Sequence, residues 1–158
     1  MKKEIGQDKS FSEICEMATK SDIESLVDAN DARFLAPQNM TEEIQKACRE
    51  SYQKVPETLA EVASVIYRSL AHCYGETIKK IEVLTGKKFD GIHIVGGGSN
   101  AEYLNELTAK TTGLPVYAGP TEATAIGNLS AQMIAHGELK DLWDARNCIY
   151  DSFEIKVY

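Results

Sequence analysis

The chain has 158 residues, of which 43% are hydrophobic and 26% are charged, and its formal net charge is −7. A chain of this length can bury a core as one domain. Its acidic balance excludes the basic stripe that a nucleic-acid-binding surface needs. No apolar run is long enough to span a bilayer, and the opening MKKEIGQDKSF lacks the apolar core of a signal peptide. We therefore expect a cytoplasmic protein with neither a nucleic-acid nor a membrane partner.

The cysteines and histidines are not spaced as metal ligands. Three histidines are scattered along the chain, and none is placed to share a metal with another. The four cysteines lie far apart and include no CxxC pair: Cys15, Cys48, Cys73 and Cys148. This spacing argues against a zinc site or a disulfide framework. It predicts buried free thiols in a reducing compartment and no metal site.

The first predicted element covers residues 10–28, as a helix followed by a second short helical turn. Ser10 is the expected N-cap, and Glu13 stands at the capping-box position three residues later. Residues 29–40 read as a loop. Within it, a short extended piece is expected over residues 33–36, just before a proline.

Two further helices are predicted in the first half of the chain. The first covers residues 41–53, with Asn39 or Thr41 as its cap. A long amphipathic helix then begins near Pro56, in its first turn, and ends near Gly86. Its predicted inner face recurs at steps of three and four: Leu59, Val62, Ala63, Ile66, Leu70, Cys73, Thr77, Ile81 and Leu84.

The second half of the chain alternates between short strands and helices. In chain order we predict a strand, a helix, a strand, a helix, a further helical turn or two, and an edge strand or tail: residues 91–95, 99–112, 114–118, 120–137, 138–146 and 147–158. This β-α-β-α order is typical of a parallel sheet with right-handed crossovers. Two strands alone do not make a stable sheet. Either the tail and residues 33–36 add strands, or part of the sheet is absent and the chain is a fragment.

Three consecutive glycines, Gly96, Gly97 and Gly98, follow the first of these strands. Ser99 or Asn100 is expected to open the next helix. Glycines can adopt positive φ and leave room beside the backbone. With the N–H groups of the turn and the helix dipole, they could form an anion site at the carboxyl edge of the sheet. A tight strand-to-helix turn with no ligand is the alternative at this point.

The glycine turn matches neither of the common nucleotide-binding motifs. No GK[ST] follows it, as a Walker A loop requires, and Ala101 stands where GxGxxG needs its third glycine. A Rossmann dinucleotide-binding domain is therefore disfavoured. The second turn, in AGPTEATAIGNLSAQ, leads into a helix rich in small residues that begins near Glu122 and Ala123. Small residues there allow either close helix packing or the approach of a flat ligand ring.

The segment FDGIHIVGGGSNAEYLNELTAKTTGLPVYAGPTEATAIGNLSAQMIAHGEL resembles the C-terminal part of the FGGY family of carbohydrate kinases. The resemblance is strongest to the branch of the family that phosphorylates L-rhamnulose. Gly119 and Pro120 ahead of the Glu-Ala-x-x-x-Gly core, and Asn128 after it, carry that finer likeness. With RFLAPQNMTEEIQKACRE and the long helix after it, the resemblance covers about residues 10 to 155.

The resemblance implies an α/β fold: part of a C-terminal actin-like ATPase (ribonuclease H-like) domain, with the β-α-β-α unit preceded by a helical section. It implies that ATP or ADP, with Mg²⁺, lies in a cleft between two such domains. L-Rhamnulose is then held mainly by the other domain, and an aspartate removes the proton from its 1-hydroxyl. The residues it places at the nucleotide are Gly96, Gly97, Gly98, Ser99 and Asn100 at the phosphate and ribose, and Glu122 and Ala123 beside the adenosine.

The chain departs from the family pattern at Ala101, where relatives carry a second amide. No segment matches the N-terminal domain, its catalytic aspartate or its sugar site. We therefore expect residues 1–158 to be a truncated C-terminal domain that is inactive alone. Residues 10–86 would form its helical section and residues 87–158 its nucleotide-side section, with no catalytic residue. A kinase for fuculose or xylulose, and a non-catalytic nucleotide-binding or interaction module, remain the alternatives.

Overall fold

The computed structural model describes residues 8–158. The chain divides into two compact units, Met1–Gly86 and Lys87–Tyr158. The described part of the first unit is helical, and the second combines helices with a small sheet, so the mixed α/β prediction is confirmed at that level. Across residues 8–158, no helix combines the length and the apolar character needed to cross a bilayer.

From residue 8 onward, the first unit contains three α-helices, and each begins at a residue whose side chain caps it. They are α1 (Phe11–Thr19), α2 (Met40–Glu50) and α3 (Leu59–Thr85). The predicted capping box of α1 is present: the backbone N–H of Ser10 donates to Glu13 Oε2 over 2.7 Å, and the Glu13 N–H donates to Ser10 Oγ over 3.2 Å. Asn39 caps α2. Gly86, in the left-handed region at φ 67°, ends α3.

The core of the first unit joins α2, α3 and the segment between α1 and α2. Its members are aliphatic residues and one cysteine, all fully or almost fully buried: Ile23, Ile44, Cys48, Val62 and Val65. Helix α1 packs on α3, and its Ile14 and Ala18 are buried. At this contact Cys15 Sγ lies 3.0 Å from the hydroxyl of Tyr67.

Residues 21–28 form no regular secondary structure, so the predicted second helical turn after α1 is wrong. The side chain of Gln53 occupies both backbone groups of Leu26, accepting from its N–H over 2.8 Å and donating to its carbonyl over 2.7 Å. The N–H of Val27 donates to Ser69 Oγ over 3.0 Å. These long-range bonds replace the local ladder of a helix, and nothing in the local sequence of the segment predicts them.

Two other expectations for the first unit also fail. The piece at 33–36 is not extended, because a 3₁₀ turn at Ala32–Phe34 forms instead, with Asp31 as its cap. Pro56 lies ahead of α3 rather than in its first turn, because Thr58 caps that helix with a second capping box. The predicted inner face of α3 holds at Val62 and Ala63, but near the end of the helix Ile81 and Leu84 are exposed.

The second unit is a three-stranded sheet with helices between its strands. Its elements in chain order are β1 (Ile92–Ile94), α4 (Glu102–Thr112), β2 (Val116–Ala118), α5 (Ala123–His136), α6 (Leu142–Ser152) and β3 (Lys156–Val157). Strands β1 and β2 are parallel, with Ile92 opposite Val116. Strand β3 is antiparallel to β2. The predicted parallel pair is confirmed, and the tail adds the third strand.

Predictions about the second unit and about the cysteines need correction. Helix α4 begins at Glu102 rather than near Ser99, because the glycine turn closes as a 3₁₀ helix over Gly96–Asn100. Helix α6 runs through the first half of the predicted tail. The small-residue helix α5 has no buried residue in the described structure. Of the cysteines only Cys48 is buried, and Cys148, on α6, is exposed.

Candidate functional site

Two turns meet at one edge of the sheet. The glycine turn, Gly96–Asn100, follows β1, and the second turn, residues 119–122, follows β2. Because β1 and β2 are parallel neighbours, both turns lie at the carboxyl ends of their strands. This is the edge at which ligands bind in open α/β sheets.

Hydrogen bonds join the two turns directly. The N–H of Gly96 donates to the carbonyl of Pro120 over 3.0 Å. The hydroxyl of Thr121 lies 3.4 Å from Ser99 Oγ and donates to Asn100 Oδ1 over 3.3 Å. The turns therefore form one surface, on which Ser99 and Asn100 stand beside residues that lie more than twenty positions later in the chain.

Of the three glycines, only Gly96 is required by its backbone conformation. Gly96 adopts φ 74°, the left-handed region that side chains disfavour. A Cβ at Gly98 would make an ordinary contact of 3.6 Å with Ile94 Cγ2. At Gly97 the backbone is not left-handed, and a Cβ would meet nothing within 4 Å. Neither conformation nor packing within the described chain requires a glycine there, so the space beside Gly97 is open to another molecule.

Ser99 is not the helix cap that we predicted. Its hydroxyl turns back into the glycine turn and donates to the carbonyl of Gly96 over 2.7 Å. The residue is almost fully buried. Helix α4 instead begins after Ala101, which provides no side-chain cap. The predicted helix N-terminus at the glycines is thus displaced by about one turn, and the N–H of Gly96 is already used within the site.

A cleft of about 350 Å³ opens beside the two turns, and we call it the turn cleft. Of the predicted residues, Ser99, Asn100 and Glu122 line it. The remaining lining comes from the end of β2, the second turn, α4, α5 and the tail: Glu102, Ala118, Gly119, Pro120, Thr121, Ile126, Phe153, Glu154 and Lys156. Its ionisable side chains are three carboxylates and one ammonium, so its net charge is negative.

Lys156 supplies the positive charge of the turn cleft. Its ammonium group pairs with Glu102. The hydrogen bond with that carboxylate raises the pKa of Lys156 above its ordinary value. The lysine is therefore a cation at neutral pH, and it connects β3 to the first turn of α4.

Ala123 lines a different space, a cleft of about 760 Å³ that we call the aromatic cleft. Gly127 and Ile126 of α5 border it too. On the sheet, the rings of His93 and Tyr117 are stacked with centroids 4.9 Å apart. On α6, the guanidinium of Arg146 lies 5.1 Å from the ring centroid of Trp143. Gly96, Gly97 and Gly98 line neither cleft. Gly119, Pro120 and Ile126 border both clefts, so Ser99, Asn100 and Glu122 line one of two adjoining spaces and Ala123 lines the other.

Sequence reasoning missed two residues of this site. Thr121 connects the two turns, and its position directly after Gly-Pro and before a helix was the available signal. Asn105 is fully buried behind the glycine turn, with its Nδ2 donating to the carbonyl of Ser99 over 3.0 Å. The available signal was the position of Asn105, an amide that lies one helical turn after Ala101 and on the same helix face as Thr108.

Comparison with known proteins identifies the family. A model of the C-terminal domain of the FGGY family of carbohydrate kinases matches residues 2–136. The chain belongs to the FGGY family of carbohydrate kinases. The resemblance that the glycine turn and the AGPTEATAIGNLSAQ segment indicated is therefore confirmed.

Three similar proteins from different bacteria are rhamnulokinases. The chain is 46% identical over 159 residues to the rhamnulokinase of Bacillus subtilis, covering 100% of this chain and 33% of the relative. It is 48% identical over 152 residues to the rhamnulokinase of Enterococcus faecalis, covering 94% of this chain and 31% of the relative. It is 41% identical over 131 residues to the rhamnulokinase of Yersinia pestis, covering 83% of this chain and 27% of the relative. The chain thus spans about a third of the length of the curated relatives it matches.

Proposed function

We propose that this FGGY-family chain is the nucleotide-binding portion of an ATP-dependent L-rhamnulose kinase. In this proposal residues 1–158 are one C-terminal domain of the actin-like ATPase (ribonuclease H-like) type. Residues 10–86 form its helical section and residues 87–158 its nucleotide-side section. Because ATP is the phosphoryl donor, the enzyme would act in the cytoplasm.

The observation that carries the proposal is the open space at Gly97, beside two turns that are bonded to each other. A glycine that neither backbone conformation nor packing requires is accounted for by a ligand that approaches the backbone closely. The parallel strands supply the edge of the sheet where such ligands bind. Family membership supplies the class of ligand, an adenine nucleotide.

The charge of the turn cleft suggests how the nucleotide is oriented. Its three carboxylates would repel phosphate groups but can accept hydrogen bonds from ribose hydroxyls or an exocyclic amine. We therefore propose that the nucleoside lies toward Ser99, Asn100 and Glu122. The phosphates lie along Gly96, Gly97 and Gly98, outside the cleft. Ala123 contributes a small side chain at the start of α5, where a ring can approach.

Mg²⁺ would accompany the nucleotide and shield its phosphate oxygens. Among residues 8–158 no group of three histidine, cysteine, aspartate or glutamate side chains could hold a metal ion. We assign no metal ligand to this chain, and no catalytic residue because no segment of it matches the family's catalytic motif. The aspartate base and the sugar site belong to the other two-thirds of the enzyme in this proposal. The role of this chain is to bind and orient the phosphoryl donor.

L-Rhamnulose is preferred to fuculose or xylulose because of the relatives' names. Rhamnulokinases from Bacillus, Enterococcus and Yersinia match the chain at 41–48% identity. The Gly119-Pro120 pair and Asn128, which suggested this branch of the family, lie in and after the second turn. The sugar contacts themselves would lie outside this chain.

Calorimetric titration of the chain with Mg-ADP tests the nucleotide site. We expect saturable binding that Gly97→Val abolishes, because its side chain occupies the open space beside the backbone. Ala131→Val, at an exposed position two turns along α5, is the matched control and should bind like the wild type. Absence of binding at millimolar nucleotide, or binding unaffected by Gly97→Val, would contradict the proposal for this site.

A chimera tests the kinase assignment. This chain would replace the corresponding C-terminal third of the Bacillus subtilis rhamnulokinase, and phosphorylation of L-rhamnulose would be followed by ADP release. We expect activity in the chimera and its loss when Gly97→Val is added. A folded chimera that binds no ATP and transfers no phosphoryl group would exclude this chain as the donor half of such an enzyme.

A further inference from the structure

Asn105 places a buried amide directly behind the glycine turn. Its side chain has no solvent exposure, and its Nδ2 donates to the carbonyl oxygen of Ser99 over 3.0 Å. A carbonyl can pair only with the donor side of the amide, so this contact fixes which way the group faces. Asn105 thereby holds the peptide group that joins Ser99 to Asn100 from inside the domain.

Stability alone does not account for this residue. Asn105 Oδ1 is buried and has no hydrogen-bond partner in the described structure. Burying an unpaired polar atom opposes folding, and asparagine is a weak helix former. A leucine in α4, which branches at the same carbon, would avoid both penalties. What the asparagine provides, and a leucine cannot, is a donor to the glycine turn.

Few other side-chain hydrogen bonds hold the glycine turn in place. Its remaining side-chain bonds are those of the Ser99 hydroxyl, to Gly96 and toward Thr121, and the long Thr121–Asn100 bond at 3.3 Å. Ala101, between the turn and α4, provides no cap. The bond from Asn105 thus connects the turn to the rigid body of α4, which the flexible glycines cannot do by themselves.

We propose that Asn105 is a positioning residue of the nucleotide site, which acts on the ligand through the peptide group of Ser99. The inference rests on the proposed function, because it assigns Asn105 to the orientation of Ser99, Asn100 and the glycines toward a bound nucleotide. Asn105 touches no nucleotide itself. Its hydrogen bond restricts the turn to fewer conformations in the free protein. Less conformational entropy is therefore lost when the nucleotide binds.

The chain offers a closely matched control. Thr108 lies on the same helix one turn later and also has no solvent exposure. Its hydroxyl donates to the carbonyl of Leu104 within the helix, over 2.7 Å, and not to the turn. Thr108→Val therefore removes a partly buried hydrogen bond of α4 without touching the glycine turn, whereas Asn105→Leu removes the bond to the turn.

The test measures the turn and the binding separately. We expect Asn105→Leu to raise the dissociation constant of Mg-ADP about 3- to 10-fold, the effect of one lost hydrogen bond, and Thr108→Val to change it less than about 2-fold. In the ligand-free protein, the backbone amide resonances of Gly96, Gly97 and Gly98 should shift in Asn105→Leu and stay in place in Thr108→Val. Asn105→Ala is the second variant if the leucine does not fold.

Each other result is decisive. Unchanged turn resonances, or shifted resonances with unchanged affinity, would overturn the positioning role while the nucleotide site stands. Failure of both Asn105 variants to fold while Thr108→Val folds would show a purely structural role. A wild-type chain that does not bind Mg-ADP would instead refute the proposed nucleotide site, and this inference with it.

Discussion

The backbone N–H of Gly96 donates to the carbonyl oxygen of Pro120 over 3.0 Å. This bond continues the pairing of β1 with β2 past the last residues of the strands, since the N–H of Gly119 donates to the carbonyl of Ile94 over 2.9 Å. Both turns are therefore held by the sheet itself. A ligand that binds at one turn therefore contacts a surface in which the other turn is already held in position.

The conformation of the glycine turn predicts opposite effects for two neighbouring substitutions. Gly96→Ala should destabilise the protein by about 1–2 kcal/mol, because its φ of 74° is left-handed and opposes a Cβ. Gly97→Ala should leave the free energy of unfolding unchanged or raise it by up to about 1 kcal/mol, because its backbone accommodates alanine. Urea unfolding of the two variants measures both values. Equal destabilisation by the two substitutions would contradict the finding that a Cβ at Gly97 meets no other atom.

Thr121 is expected to tune the affinity of the turn cleft. Thr121→Val removes the hydroxyl that contacts Ser99 and Asn100 at 3.4 and 3.3 Å. Both contacts are long, so we expect a loss of about 0.5–1 kcal/mol, or roughly a 2- to 5-fold weaker binding of Mg-ADP. Thr124→Val, an exposed position on α5, is the control. A Thr121→Val protein with wild-type affinity would show that the side-chain link between the turns is irrelevant to binding.

Local sequence signals predicted the elements that local interactions build. The capping box at Ser10 and the left-handed end of α3 at Gly86 were predicted from residues within one helical turn. The alternation of short strands and helices after Gly86 gave the parallel pair. Residues 21–28 were predicted wrongly because Gln53, far along the chain, supplies their backbone bonds. No periodicity reports such a contact.

The candidate site was predicted only in part, for a related reason. Motifs identified the glycine turn, but the start of α4 depends on Ser99 bonding back to Gly96, and that bond competes with the capping role we expected. Ala123 lines the aromatic cleft rather than the turn cleft, which the motif does not indicate. Asn105 contributes through a buried contact six residues from Ser99, which the sequence alone does not distinguish from a solvent-exposed amide.

The thiols differ enough in exposure to predict their reactivity. Cys148 is exposed, whereas Cys48 is fully buried and burial raises the pKa of its thiol. Cys15 and Cys73 lie between these extremes, in contact with Tyr67 and Asn30. We expect an aromatic disulfide reagent to react first with Cys148 and with Cys48 only after unfolding. Cys148→Ser should remove the fast phase. A fast phase that survives this substitution would contradict the exposure of α6.

The start of α3 predicts a specific acid sensitivity. The carboxylate of Glu61 accepts from Lys54 Nζ over 2.6 Å and from the backbone N–H groups of Glu57 and Thr58 over 2.9 and 3.2 Å. These contacts, that with Lys54 foremost, lower the pKa of Glu61 from 4.5 to about 2. A lowered pKa means that the folded state holds the carboxylate more strongly than the unfolded state. The stabilisation is complete at pH values above the unfolded pKa of 4.5, and it is lost as the pH falls toward the folded pKa of about 2.

Replacing Glu61 isolates this contribution. Glu61→Gln retains a side chain compatible with the capping box but loses the charge. At neutral pH it should therefore lower the free energy of unfolding by about 1 kcal/mol, the scale of a cap and of an ion pair whose lysine is exposed to solvent. At about pH 3 the difference from the wild type should shrink, because the wild type then loses part of the same contribution. Urea unfolding at both pH values measures this, with the exposed Glu106→Gln as the control. A Glu61→Gln defect that is as large in acid as at neutral pH would show that the side chain stabilises α3 by its shape and not by its charge.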